Sequence, residues 1–370
     1  MRYYQLTIAD PDGTVYQVDK GGLGFAKSVA SEGATFSSVW TPWQTTDSQR
    51  IGQPNPNALN IYFDLPVFPL HAPQGKTLIR IWGLGLRCIG QAANFNPVGD
   101  SFKTFTLRAG MSKGLPLANP LQAGIVAQGQ IYQAFGNWAG TEQTLDLIVE
   151  AGGNPDVPIS WYWPKGTGLQ SALKQMFAQA FPTYRPIINT ADLIAPSDQG
   201  GCYRNVNAFA KMLNRYTQRL GAQLYGKEYP GVSLFAVGQS MYALDGAGPR
   251  RPKTIALALR DFVGQPTWIA SNQLTFQMAL RGDINVGDHV TFPNEILLPY
   301  AITTPDAANP NVPASSSSTF RGTFVVNEVH CYANFRQPDA ASWNTTFVAA
   351  SVPQLTNFED TPNFGVGRLA

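Results

Sequence analysis

Charged residues are scarce in this chain of 370 residues. Asp, Glu, Lys and Arg together make up 14% of it, whereas about 25% is usual in soluble proteins. The net charge is only +2 and no run of Lys or Arg marks a phosphate-binding surface, so we expect no specific nucleic-acid binding. A surface this poor in charge suits a subunit whose faces are covered by partners, and it also fits an ordinary β-rich monomer.

Cysteine is rare as well, and the three cysteines are Cys88, Cys202 and Cys331. An odd, widely spaced set argues against a disulfide framework and indicates assembly in a reducing, intracellular environment. The first residues, MRYYQLTIADPDG, predict a strand and a turn and not a charged, then apolar leader, so we expect no signal peptide. No run of about twenty apolar residues occurs, so we expect no membrane span.

Glycine, proline and aromatic residues are abundant instead. The chain has 35 Gly and 28 Pro, 12% of its residues are aromatic and 44% are hydrophobic. This mixture is typical of many short strands, frequent turns and large buried anchors. At about 100–200 residues per domain, the length predicts two to four compact units.

Residues 1–160 predict an all-β unit, either a barrel or two packed sheets. Tyr3–Val18 alternates apolar and polar side chains around a turn at Asp10–Gly13, which indicates a hairpin. An aromatic pair, Trp40 and Trp43, follows a passage rich in Gly and Ser, and no helical period is found before residue 165. Further strands are expected at Leu59–Leu65, Thr77–Trp82, Phe102–Leu107, Gly124–Phe135 and Thr144–Val149.

Residues 165–250 predict a small α/β insert, because apolar residues recur there at helical spacing. We interpret both apolar stripes as core packing that folds the insert and does no chemistry. The first stripe comprises Leu169, Leu173, Met176, Phe177 and Ala180 and stops before Pro182, and the second comprises Val206, Phe209, Leu213, Tyr216 and Leu220 and stops at Gly221. Short strands are expected at Arg185–Ile194, Leu234–Val237 and Met241–Leu244.

Residues 253–350 predict a second β unit, joined to the insert by a linker at Pro249–Pro252. Thr303–Ser318 is polar and rich in Pro and Ser, so we expect an exposed, mobile loop. Residues 351–370 carry little pattern and are expected to form a tail, either docked on a neighbour or loose. Strands are expected at Thr254–Leu259, Thr267–Ser271, Leu274–Leu280, Thr323–Val329 and Asn344–Ala350.

Histidine and glycine motifs for catalysis or cofactor binding are incomplete. No histidine has a metal-binding spacing, and His330 and Cys331 are expected on opposite faces of one strand. Gly238–Met241 begins like a nucleophile elbow, but Tyr242 occupies the place of the second glycine. The remaining candidates, which we interpret as structural residues, are His71, His289, Gly83, Gly85 and Gly90; the three glycines lack the spacing and the following helix of a dinucleotide loop.

Two pairs of carboxylates are candidates for glycoside hydrolysis, Glu142 with Asp146 and Glu228 with Asp245. No pattern places either pair across a cleft, so we interpret all four as solvated surface acids. The sequence therefore predicts no catalytic, cofactor-binding or metal-binding residues, and we expect that the protein is not an enzyme.

Two short motifs have a plainer structural interpretation. Arg281–Asp283 spells an integrin-binding tripeptide, but the same residues suit a turn between strands. Asn344–Thr346 matches an N-glycosylation acceptor, which we interpret as ordinary strand sequence.

The C-terminal part of the chain carries an ordered set of patterns. Phe276–Pro293 reads FQMALRGDINVGDHVTFP, two short apolar runs around a turn at Val286–Asp288. A Ser-rich loop follows, then FRGTFVVNEV at Phe320–Val329 and RQPDAASWNTTF at Arg336–Phe347. In this order the patterns resemble the C-terminal half of baseplate hub proteins of tailed bacteriophages.

Two other stretches extend the resemblance over most of the chain. Leu107–Val149 resembles the tube-type barrel shared by phage tail tubes and hubs, and the two predicted helices are similar to those expected in hub proteins. The resemblance implies a mainly β fold with an α/β insert, in which two tube-like β-barrel domains, 1–160 and 253–350, flank a small α/β domain, 165–250.

The resemblance also implies a function and partners. Hub subunits form a homotrimer whose six barrels make a pseudo-sixfold ring, which joins the sixfold tail tube to the threefold spike and lets DNA pass. The implied partners are the tail tube protein, the central spike protein, other baseplate subunits and the tape measure protein. The implied location is the baseplate of the virion tail, after assembly in the host cytoplasm.

Two alternatives stay open. One is a receptor- or glycan-binding β-sandwich virion protein in which some of the eight Trp are sugar platforms, although a helical insert is unusual in such a protein. The other is a β-rich hydrolase, which ranks last because the sequence lacks a nucleophile–base–orienter set.

Overall fold

The computed structural model describes residues 1–19, 24–28, 33–67, 69–71, 76–99, 101–112, 119–151, 157–226, 229–237, 240–246, 248, 253–270, 273–293, 320 and 323–351. Three predicted segments lie outside these residues: the linker at Pro249–Pro252, the loop at Thr303–Ser318 and, apart from Ser351, the tail at 351–370.

Strands dominate the described chain, which confirms the prediction of a mainly β fold with few helices. One correction concerns the N-terminal part, where the short helix α1 follows Gly85 although no helix was expected before residue 165. In chain order the elements are β1 (Arg2–Ala9), β2 (Val15–Val18), β3 (Phe25–Ser28), β4 (Phe36–Ser37), β5 (Asn60–Val67), β6 (Thr77–Trp82), α1 (Leu86–Gly90), β7 (Thr104–Met111), β8 (Gly124–Ala139), β9 (Glu142–Ala151), β10 (Ile159–Trp163), α2 (Leu169–Ala180), β11 (Arg185–Asn189), β12 (Gln199–Tyr203), α3 (Val206–Tyr225), β13 (Ser233–Val237), β14 (Ser240–Leu244), β15 (Thr254–Ala256), β16 (Thr267–Ala270), β17 (Gln273–Ala279), β18 (His289–Thr291), β19 (Thr323–Asn334) and β20 (Trp343–Ser351).

One sheet of fifteen strands contains strands from both predicted β units. Its main path is β16-β17-β20-β19-β5-β6-β9-β8-β7-β1-β2-β3, while β18 pairs with β15 and β19, and β4 pairs with β1. The two units meet where β5 pairs antiparallel with β19, from Tyr62–Asn334 to Val67–Val329. The described pairings form an open path, so the two tube-like barrels and their domain limits stay predictions.

The large sheet buries one face, as the alternation of side chains in its strands predicts. In β1, Tyr4, Leu6 and Ile8 are fully buried, whereas their neighbours on the other face are half-buried. A single hydrophobic core runs under both β units, and each such buried side chain contributes about 1.5–3 kcal/mol. Its largest fully buried side chains include Tyr4, Phe63, Phe95, Phe105, Phe276, Phe324 and Phe347.

The predicted insert has a second core, formed by α2, α3 and two small sheets. β10 pairs with β12, and β14 lies between β11 and β13. Helix α2 has the predicted limits and buries Leu169, Leu173, Met176 and Phe177. Helix α3 begins at Val206 and is capped by Asn205, whose side chain accepts a hydrogen bond from the Ala208 N–H at 3.0 Å. No helix in the described part of the chain has both the length and the apolar character needed to cross a membrane.

Two predicted turns are confirmed. The Asp10–Gly13 turn closes with hydrogen bonds from the Asp10 and Gly13 N–H groups, and Gly13 has a φ of +87°. The turn at Val286–Asp288 has Gly287 at a φ of +87°, and its N–H donates to the Val326 carbonyl at 2.8 Å. Both glycines adopt a conformation that side chains with a Cβ disfavour.

Candidate functional site

The second face of the large sheet carries many polar side chains, most of them half-buried, with apolar residues such as Leu78, Phe135 and Ile148 between them. The antiparallel registers bring these side chains together across nine strands, since residues opposite each other share a face. We call this layer the polar face, and it comprises Gln5, Thr7, Tyr62, Asp64, Arg80, Thr104, Thr106, Arg108, Gln128, Gln130, Asp146, Glu150, Gln277, Glu328, His330, Tyr332 and Thr346.

An ion pair anchors the centre of the polar face. The Arg80 guanidinium donates to both carboxylate oxygens of Asp146, at 2.7 and 2.8 Å. The Asn137 side-chain amide donates to the same carboxylate at 2.8 Å. The hydrogen bond to Asp146 raises the pKa of Arg80. These bonds tie β6, β8 and β9 together and hold the outward side chains in fixed positions.

Side chains also pair across the junction of β5 and β19. The Tyr62 and Tyr332 rings meet edge to face with their centroids 5.7 Å apart, and the His330 ring contacts the Asp64 carboxylate. The polar face is therefore continuous from one β unit to the other, with no break at the junction.

The polar face has few positive charges. Arg80 and Arg108 are its two arginines, and its carboxylates are Asp64, Asp146, Glu150 and Glu328. Burial raises the pKa of the Glu328 carboxyl. A polyanion such as DNA binds where Lys and Arg neutralise its phosphates, so the charge of this face does not favour tight binding of DNA.

In the described part of the chain, the main path of the sheet ends at two edge strands, β3 and β16. Ile269 of β16 is 53% exposed, while its neighbour Trp268 packs inward against Phe320 with centroids 5.8 Å apart. Unpaired edges offer backbone hydrogen-bonding groups to another strand, so both edges are candidates for contacts between subunits.

The carboxylate pairs predicted for glycoside hydrolysis do not form a catalytic site. Glu142 and Asp146 lie four residues apart on β9, a separation of about 13 Å at about 3.3 Å per residue, beyond the roughly 5–9.5 Å that glycosidases use. Asp146 is 5% exposed and bound by Arg80 and Asn137, so it is not the solvated acid that was expected.

In the second pair, Glu228 lies outside the described residues. Asp245 is also buried, and it accepts hydrogen bonds from the Tyr229 hydroxyl at 2.5 Å and the Ala191 N–H at 2.7 Å.

The histidines and cysteines are dispersed. His330 lies on the polar face and Cys331 points into the core, so the two neighbours do point to opposite faces, as predicted. Burial raises the pKa of the Cys331 thiol to about 12. Among the described residues, no group of three or more His, Cys, Asp or Glu side chains is placed to hold a metal ion, and none of the three cysteines forms a disulfide.

The remaining short motifs are structural. Ser240 lies in β14, a strand and not the strand-to-helix turn of a nucleophile elbow, and Gly238 and Gln239 lie outside the described residues. Asn344 and Thr345 are buried in β20, as the strand interpretation of the glycosylation motif requires.

The integrin-type tripeptide is not an exposed adhesion motif. Arg281 is 3% exposed, and its guanidinium donates to both oxygens of Asp283, each at 2.8 Å. The two charged side chains therefore bind each other within the fold and are not presented to a receptor.

Sequence patterns did not predict two clefts. One, of about 230 Å³, lies between the insert and β19, and its lining includes His71, Asp245 and Glu328. The other, of about 430 Å³, is lined by Trp40 and Trp43 among others. The sequence shows the tryptophan pair, but other lining residues, such as Tyr4 and Leu84, come from distant segments.

No protein-family model matches the sequence, and no curated protein matches it. The fold is similar to three solved structures, each 8% identical in sequence. They are the 43 kDa tail protein of prophage MuSo2 from Shewanella oneidensis (TM-score 0.47, covering 95% of this chain and 99% of that one), a tail protein from Neisseria meningitidis MC58 (0.42, 94% and 96%) and prophage tail protein gp18 from Listeria monocytogenes EGD-e (0.36, 95% and 95%). With TM-scores below 0.5, these similarities carry no conclusion about function.

Proposed function

We propose that this chain is a structural, non-enzymatic subunit of a bacteriophage tail, the baseplate hub. In this proposal three copies form a pseudo-sixfold ring that joins the sixfold tail tube to the threefold spike and lets DNA pass. The partners are the tail tube protein, the central spike protein, other baseplate subunits and the tape measure protein. The ring is assembled in the host cytoplasm and resides in the virion baseplate.

The pairing of β5 with β19 is the observation that carries this proposal. It joins two sheet segments side by side within one chain, through six residue pairs from Tyr62–Asn334 to Val67–Val329. In the described part of the chain, β3 and β16 each pair on one side, which leaves the other side for the same kind of contact between copies. Three chains with two segments each supply the six segments of a pseudo-sixfold ring, and closing the ring would cover the exposed edges.

The polar face supports a lumen through which DNA passes without being held. Its two arginines are outnumbered by four carboxylates, and Arg80 is already paired with Asp146. Sequence-independent DNA binding depends on phosphate neutralisation by Lys and Arg, so such a wall would give little retention.

The first test is the mass of the full-length protein in solution, by light scattering on a gel-filtration column. The proposal predicts three times the 40.2 kDa of one chain, and a ring visible by negative-stain electron microscopy. A stable monomer at concentrations up to about 100 μM would contradict a ring with obligate interfaces, which typically bury more than about 2,000 Å².

A further inference from the structure

The cleft beside Trp40 and Trp43 has the size of a small-molecule site. Its volume is about 430 Å³, and sites for small ligands usually span about 300–1,000 Å³. It opens between the loop at 38–58, the end of β2, β4 and the loop at 83–85. None of these segments contributes to the polar face.

Two half-buried indoles form part of the wall, and hydrogen bonds fix the Trp43 ring and the Trp40 backbone. The Trp43 indole N–H donates to the Val18 carbonyl at 2.8 Å. The Trp40 backbone N–H donates to the Gln53 carbonyl, and its carbonyl accepts from the Gly52 N–H, both at 2.9 Å. A ligand that packs on the Trp43 ring would not have to order it first, which favours binding.

Three side-chain amides surround the indoles: Gln44 and Asn57, which are exposed, and Asn55, which is buried. The Asn55 side-chain oxygen accepts a hydrogen bond from the Asn57 N–H at 2.9 Å, which holds the two residues together at the cleft. Each amide carries both donors and acceptors, so the set can match hydroxyl groups, which also donate and accept.

The rest of the described lining is apolar or neutral, with one exception. Tyr4, Phe36 and Leu84 are each less than 5% exposed and form the floor. Asp19 is the one charged side chain among the described lining residues. Among the described lining residues there is a carboxylate and no cationic side chain, which favours a neutral ligand over an anionic one.

We propose that this cleft binds a neutral saccharide. The C–H face of a sugar ring is apolar and packs on indole rings, while its hydroxyls exchange hydrogen bonds with amide side chains. The inference rests on the cleft alone and holds whether or not the chain assembles as a hub.

The test uses the full-length protein with two neutral probes, maltotriose and tri-N-acetylchitotriose, and one acidic probe, trigalacturonate. Saturation-transfer difference NMR detects contact, and calorimetry measures affinity. We expect saturation transfer to at least one neutral trisaccharide and none to trigalacturonate. Light scattering on the same sample records the mass, so that failure of saccharide binding is distinguished from failure of the hub proposal.

Variants locate the site. Trp43→Ala should lower the affinity at least about tenfold, and Asn57→Ala, at an exposed position where the fold tolerates the change, about threefold or more. Trp138→Ala is the matched control, because Trp138 is 64% exposed on β8 and outside the cleft. It should leave the affinity unchanged.

The proposal would be overturned by no saturation transfer to either neutral trisaccharide, by equal transfer to trigalacturonate, or by affinity unaffected by both Trp43→Ala and Asn57→Ala. Equal loss in Trp138→Ala would also overturn it, because the saccharide would then be packing on any exposed indole.

Discussion

Gly124 and Gly282 meet backbone to backbone where the two β units come together. A Cβ placed on Gly124 would lie 2.3 Å from the Gly282 carbonyl oxygen, and one on Gly282 would lie 2.7 Å from the Gly124 carbonyl carbon. The Gly282 N–H also donates to the Gln122 carbonyl at 2.9 Å. The central glycine of the Arg-Gly-Asp sequence is therefore required by a close contact between the start of β8 and the segment after β17.

Substitution at this contact should weaken the packing between the two β units. We expect Gly124→Ala and Gly282→Ala each to lower the free energy of unfolding by about 1–3 kcal/mol, since the backbone contact leaves no room for an added methyl group. The measurement is urea unfolding followed by tryptophan fluorescence.

Gly90→Ala is the control for these variants, because a Cβ on Gly90 would have no neighbour within 4 Å. It ends the short helix α1, so alanine should leave stability unchanged or raise it by up to about 1 kcal/mol. Equal losses in all three variants would show that the contact has no special role.

The buried cation next to this contact gives a second prediction. Arg281 is bound by Asp283 and lies 3.5 Å from Asp261. Asp283→Ala should lower the free energy of unfolding by about 3 kcal/mol, because it removes two hydrogen bonds of a buried guanidinium and leaves Asp261, at 3.5 Å, as its ion-pair partner. Arg281→Met should lower the free energy of unfolding by less than Asp283→Ala does, since the two carboxylates that remain are partly exposed and can be hydrated. A larger loss in Arg281→Met, by the same urea titration, would contradict this account.

Local sequence patterns predicted helices and strands whose limits depend on residues close to them in the sequence. Helix α2 has the predicted limits because its stripe runs without interruption until Pro182. Helix α3 was expected to stop at Gly221 but continues to Tyr225. A Cβ on Gly221 would lie 2.2 Å from the Tyr229 ring, so this glycine makes room for a packed side chain and does not end the helix.

Long-range pairing could not be predicted in this way. Strands β10 and β12 were not predicted. Strand β12, Gln199–Tyr203, is rich in glycine, and its strand conformation comes from pairing with β10, Ile159–Trp163. The junction of β5 with β19 joins residues about 270 positions apart, and no local periodicity encodes such a register. The polar face depends on that junction, so local patterns could not predict that its residues lie together.

Thiol labelling should distinguish the exposed cysteine from the two buried ones. Cys202 is exposed, while Cys88 and Cys331 are buried, and burial raises the pKa of both buried thiols. We expect the native protein to react with one equivalent of Ellman's reagent at pH 8 and the unfolded protein with three, because a thiolate is the reacting species. The variant Cys202→Ser should abolish the native reaction. Rapid labelling of a second thiol would contradict the packing around β19 or α1.

Glu328 should make stability depend on pH. Desolvation raises its pKa above the ordinary value of 4.5, so the folded state disfavours the ionised carboxylate. This cost is present at neutral pH and disappears as the pH falls below the unfolded value. Glu328→Gln should therefore be more stable than the parent at pH 7 and equal to it at pH 4, by urea unfolding. Glu142→Gln, at an exposed position, is the control and should match the parent at both pH values.

The edge strand β16 offers a direct test of assembly. Ile269 is 53% exposed and points away from Trp268, which packs against Phe320, so a lysine here leaves the core intact. If β16 pairs with a neighbouring copy, Ile269→Lys brings a charge into that contact, and light scattering should report a shift from three subunits towards one.

Ile194→Lys is the matched control for Ile269→Lys, because Ile194 is 58% exposed and lies in the insert, away from both sheet edges. It should keep the mass of three subunits. Urea unfolding of both variants should match the parent, so that a change in mass reflects the contact and not the fold. A trimer that survives Ile269→Lys would place the subunit contact elsewhere than β16, and dissociation in both variants would mean that added charge alone prevents association.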